Sequence, residues 1–112
     1  MLTMGSPSGA FRSWLENNPG NAVIGKAHIK CECPMANFLA ANGVRARVDY
    51  GVYWVEGDEN PRDLPWWAKA FIAEIDRSAQ QQEPIIARRA LGVLDRVMAV
   101  ILVWMFDNIM EN

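Results

Sequence analysis

His28, Cys31 and Cys33 stand close together near the middle of the first half of the chain, and imidazole and thiolate both ligate zinc. A structural zinc site needs four converging donors, whereas this chain holds one histidine and two cysteines in all. The alternating pattern around them also predicts a strand, in which His28 points away from Cys31. Cys33 has a second property: it precedes Pro34 at the predicted start of a helix, where the macrodipole favours thiolate. Asp58, Asn60 and Asp63 supply oxygens in an acidic stretch, Gly57 to Arg62. That stretch lacks the glycine and closing glutamate of a calcium loop and reads as a solvated connector.

The Cys-x-Cys-Pro spacing at Cys31, Cys33 and Pro34 resembles the opening of SWIM-type zinc domains, but their downstream Cys-x-His pair is missing here, so no ligand set carries over. No cofactor or metal is expected. The chain has no glycine-rich phosphate loop, nucleophile elbow or second histidine, and a non-enzymatic protein is expected. A thiol- or metal-dependent activity at Cys31 and Cys33 is the remaining chemical alternative.

The basic residues suggest recognition instead. Lys26, His28 and Lys30 alternate with Val23, Gly25, Ala27, Ile29 and Cys31, as in a half-buried strand with a basic outer face. A hairpin follows, Val44 to Val48 and Val52 to Glu56, with Asp49-Tyr50-Gly51 as a three-residue loop in which Gly51 takes the left-handed position. In that register Val44, Ala46, Val48, Val52 and Trp54 face the core, and Arg45, Arg47, Tyr53 and Val55 face outward. If the first strand lies beside the hairpin, Lys26, His28, Lys30, Arg45, Arg47 and Tyr53 share one face. The leading expectation is that this face binds a protein partner. The alternative is a nucleic-acid-binding regulator that uses Lys26, Lys30, Arg45, Arg47 and Tyr53, with phosphates on the cations and a base on the ring.

Helices must hold that sheet. Ser8 is placed to cap a first helix carrying Phe11, Trp14 and Leu15 at helical spacing. Pro34 opens a second helix with Met35, Phe38 and Leu39 inward, ended by Asn42-Gly43. Asp63 is placed to cap a third, with Leu64, Trp67, Ala68, Phe71, Ile72 and Ile75 along one face and Trp66 on its flank. A long C-terminal helix is expected from Pro84 to Met110, its core side formed by Leu91, Leu94, Val97, Met98, Ile101 and Met105.

The run from Val97 to Phe106 is unbroken apolar sequence. Asp95 and Arg96 interrupt any window of the roughly 20 residues that a membrane span requires, so no span is expected. A helix of this length must break near Gly92 or protrude beyond a compact domain and pair. Ala99, Val103, Phe106 and Met110 form its second apolar face, the surface expected to join two copies in a homodimer.

At 112 residues, with 51% hydrophobic and 21% charged residues, the chain has the makings of a single domain over 1–112. Residues 1–8 are expected to be flexible and 78–83 to be a linker. A formal net charge of −2 does not by itself select nucleic acid or an anionic surface. The first stretch has neither the basic nor the apolar region of a signal peptide, and two cysteines make no secreted framework, so a cytoplasmic protein is expected. The element order α-β-α-β-β-α-α predicts the α+β class, with a small antiparallel or mixed three-stranded sheet covered on one face by helices.

Overall fold

The computed structural model describes residues 8–49 and 51–110 and has the expected α+β architecture. In order it runs α1 (Gly9–Glu16), β1 (Val23–Lys26), α2 (Pro34–Ala41), β2 (Ala46–Asp49), β3 (Val52–Val55), β4 (Arg62–Asp63), α3 (Trp66–Ser78), β5 (Pro84–Ile86) and α4 (Ala87–Met110). The strands form two small antiparallel sheets, β1-β5 and β2-β3-β4.

Several elements follow from local chemistry. At α2 the Cys33 side chain accepts from Ala36 N at 3.4 Å, and Pro34 occupies the first turn. Its other end is a Schellman closure: Val44 N donates to Leu39 O and Gly43 N to Ala40 O, with Gly43 at φ +82°. The predicted inner face of α3 is buried or packed on the core throughout. Phe11 joins the helices, lying 4.9 Å from Phe71, 5.2 Å from Phe38 and 5.6 Å from Trp67 between ring centroids. Leu94 and Val93 of α4 and Ile85 of β5 complete this core.

Other expectations give way. The first strand does not reach Cys31, nor does it join the hairpin. Its partner is Pro84–Ile86, which extends beside it before the last helix begins, so that helix starts at Ala87 and not at Pro84. A register shift between Val23 and Gly25 breaks the simple alternation, leaving Val23 exposed and Ile24 buried. Beyond Lys26 the chain turns at His28, which holds φ +66°. Gly25 is required by close approach, since a Cβ there would lie 2.6 Å from Pro34 N and 2.8 Å from Cys33 C.

The hairpin pairs Asp49 with Val52, so two residues connect the strands and not three. Because side chains alternate, that single residue turns β3 over. Tyr53 packs against the core, opposite buried Val48, while Trp54 stands beside Arg47 on the outer face. Tyr50 lies outside the described residues.

Asp63 pairs with Val52 in β4 and does not cap α3, whose N-cap is Pro65. Ser8, 2% exposed, precedes α1 without a side-chain capping bond, and Ser78 belongs to α3 and not to the linker. Residues 1–7, expected to be flexible, fall outside the described residues.

The last helix passes Gly92 without a break and runs for 24 residues, about 36 Å at 1.5 Å each. It packs on α1 and α3, and the longest dimension of the chain is 45 Å. No helix among the described residues is long and apolar enough to cross a membrane.

Candidate functional site

The six basic and aromatic residues expected on one face occupy three places. Lys26 is exposed on β1, in the two-stranded sheet. His28 and Lys30 border a cleft of about 420 Å³ between the turn after β1, the start of the hairpin and α3. Arg45 and Arg47 flank a second groove, of about 490 Å³, and Trp54 lines it with them. Tyr53 lies on the inner side of its sheet.

In the first cleft the donors and acceptors are largely engaged. The Asp76 carboxylate accepts from His28 N at 3.2 Å, which stabilises a left-handed conformation that histidine enters more readily than most residues. The imidazole Nε2 lies 3.0 Å from Ala79 O, so it donates there, and Nδ1 sits 4.0 Å from Asp76 Oδ1. Lys30 Nζ pairs with Asp49 at 2.9 Å. These contacts join the turn to α3 and the hairpin, a structural task for His28 and Lys30.

Cys33 also lines this cleft, 7% exposed. Burial pushes its thiol up from the ordinary value, outweighing the backbone N–H groups of Ala36 and Met35 that favour thiolate. At this helix start burial thus outweighs the capping N–H groups, and Cys33 favours the thiol form. Cys31 is exposed, and both cysteines are free. Among the described residues no three His, Cys, Asp or Glu side chains converge as a metal site would require.

The acidic connector is tied internally. Asp58 accepts from Asn60 N at 2.9 Å and from Arg62 Nη2 at 3.2 Å, and these two bonds hold its carboxyl below the usual carboxylate range.

The second groove has free recognition groups. The Arg47 guanidinium lies over the Trp54 ring, 4.6 Å from its centroid, within cation–π distance. Arg45 is exposed beside it, and among the described residues neither arginine has an ion-pair partner. Ala36, Ala40 and Ala46 keep the groove floor small. Trp54 was legible as the other aromatic of the strand, but the loop length decided which ring faced out.

The second candidate surface lies on α4. Val97 is 9% exposed and Met98 packs on the core, but the next residues emerge: Val100, Leu102 and Val103 are 67%, 63% and 61% exposed, and Ala99 is exposed as well. Phe106 and Met110 lie on the same helix, their side chains outside the described residues. Beside this surface runs a groove of about 530 Å³ between α3 and α4, with Ala70, Ala73, Val97 and Val100 within it and Glu74, Arg77 and Arg96 along its edge. Comparison with protein-family models, curated proteins and solved structures finds no significant match to this chain.

Proposed function

We propose that this is a small, non-enzymatic interaction protein that self-associates through the distal half of α4 and offers the Arg45, Arg47 and Trp54 face to an acidic protein partner. One observation carries the reading: α4 continues beyond the residues that its own core covers, and there exposes Val100, Leu102 and Val103 together. A contiguous apolar patch rimmed by charge is the usual mark of an interface, and burial against a second copy removes it from water. An exposed thiol at Cys31 suits the reducing cytoplasm expected for the chain.

The partner's chemistry comes from the stacked arginine. A guanidinium lying on a ring presents its edge, the geometry that grips a carboxylate through two N–H groups. Single-stranded nucleic acid is the second reading, favoured by an aromatic ring set among cations in the groove, the pairing that bases and phosphates use.

Scattering mass at micromolar concentration tests the assembly. A mass twice that of one chain is expected, falling to one chain in Val103→Glu; a single-chain mass at every concentration would remove the reading. For the arginine face, an acidic polypeptide and single-stranded DNA are titrated at low salt against wild type and Arg45→Ala/Arg47→Ala. Tighter binding of the polypeptide, lost in the variant, supports the first reading, whereas salt-sensitive binding of DNA in preference supports the second.

A further inference from the structure

Four residues of α4 have a spacing that reads the same in reverse. Arg96, Val100, Val103 and Asp107 follow at steps of four, three and four, so they share one face of the helix to within about 60° at 100° per residue. In one direction that face reads base, apolar, apolar, acid. Two such helices laid antiparallel about a twofold axis between positions 101 and 102 set position 96 against position 107, and position 100 against position 103. A parallel pair sets Arg96 on Arg96 and Asp107 on Asp107, which like-charge repulsion opposes.

The surroundings favour the same direction. The groove between α3 and α4 borders this face, and the methyl side chains of Ala70 and Ala73 let another helix approach closely. At its edge Arg77 Nη2 lies 2.5 Å and Arg96 Nη2 3.8 Å from the same oxygen of Glu74. Two cations on one carboxylate leave a net positive edge. An antiparallel neighbour brings there position 107 of its helix, an aspartate in the sequence.

We infer that the second copy is antiparallel, its distal α4 seated in the α3–α4 groove with Val100 against Val103 and position 107 against position 96. This rests on the self-association proposed above and adds its direction, register and seat. The interface is isologous: each copy gives the distal half of α4 and receives that of its partner.

Disulfide trapping tests the register at exposed positions, where the substitutions leave the core untouched. Cys31→Ser/Val100→Cys and Cys31→Ser/Val103→Cys proteins are oxidised separately and as a mixture. The mixed 100–103 covalent dimer should dominate over either single-variant dimer by about tenfold. Dominant 100–100 or 103–103 products, or no cross-link in a protein that scattering shows to be dimeric, would overturn the register while leaving self-association standing. A monomeric wild type would overturn both. Charge exchange gives a second reading: Arg96→Glu and Asp107→Lys should each weaken the dimer about tenfold, and the double variant should return to within about threefold of wild type. A double variant as weak as the two losses combined would also overturn the register.

Discussion

The two halves of α4 are one continuous helix with opposite outer faces. From Ala87 to Met98 the inner residues Ala87, Ala90, Val93, Leu94 and Val97 are buried, and the outer face is charged, with Arg89, Asp95 and Arg96 each paired. Arg12 Nη2 meets Asp95 at 2.7 Å, Arg89 pairs with Glu83, and Arg96 approaches Glu74. Beyond Met98, at Ala99, Val100, Leu102 and Val103, the outward residues are apolar and exposed. The same helix thus turns a charged outer face to water in its first half and, at Val100, Leu102 and Val103, an apolar one in its second. The teaching is that the boundary of a folded unit lies where the outward residues change character, not where the helix ends.

The sharpest way to break that contrast is to cut one apolar side chain from each half. Leu94 has no exposed surface, so Leu94→Ala leaves a cavity and should cost about 2–5 kcal/mol of unfolding free energy in a denaturant titration. Leu102→Ala removes a side chain of the same size that the single chain leaves 63% exposed. Measured well below the concentration of assembly, its effect should stay within about 0.5 kcal/mol. Equal losses would mean that the distal half is covered within one chain.

Next in size is Gly25→Ala. The obstacles to its Cβ are backbone atoms of Glu32, Cys33 and Pro34, all within 2.9 Å, and no rotamer change relieves them. Pushing β1 away from the start of α2 should cost about 1–3 kcal/mol, read as a lowered denaturation midpoint with unchanged slope.

What could be read in advance divides along the same line as these tests, local against distant. The limits of α2 depend on Cys33, Pro34, Asn42 and Gly43, whose preferences act within one or two turns, and they were legible. So was the inner face of α3, because Trp67, Phe71 and Ile75 keep helical spacing. Pro84 was equally suited to begin a helix or to stand in a strand, and only the distant β1 decides in favour of the strand. The hairpin turned on one residue of loop length, which exchanged Tyr53 and Trp54 between faces. Of the expected recognition face, Arg45 and Arg47 therefore lie together while Lys26, His28 and Lys30 lie elsewhere. Of the second apolar face expected on distal α4, Ala99 and Val103 are exposed, whereas Val100 and Leu102, exposed as well, lay outside the stripe that periodicity marked.

A smaller effect sharpens the continuity of the helix. Gly92 sits midway along the first half, and a Cβ there would meet nothing within 4 Å. Gly92→Ala should raise stability by about 0.5–1 kcal/mol through helix propensity alone, seen as a higher thermal midpoint. A loss of stability would show that the helix needs the bend its glycine could allow.

The smallest effect concerns how the first half is pinned at its start. Glu83 accepts from Gln80 N at 2.9 Å and pairs with Arg89, which also donates to Ser78 O at 3.0 Å. The backbone N–H of Gln80 and then the guanidinium hold the Glu83 carboxyl below its ordinary range. A carboxyl with a depressed folded pKa stabilises the fold above its unfolded pKa, about 4.3, and that contribution fades as pH falls through the lower folded value. The stability gap between wild type and Glu83→Gln should therefore be constant near neutral pH and narrow below about pH 4. Because the group is exposed, the gap is small at every pH and shrinks further in high salt. No gap at any pH would mean that Glu83 acts through its bond to the Gln80 amide, which glutamine imitates, and not through its charge.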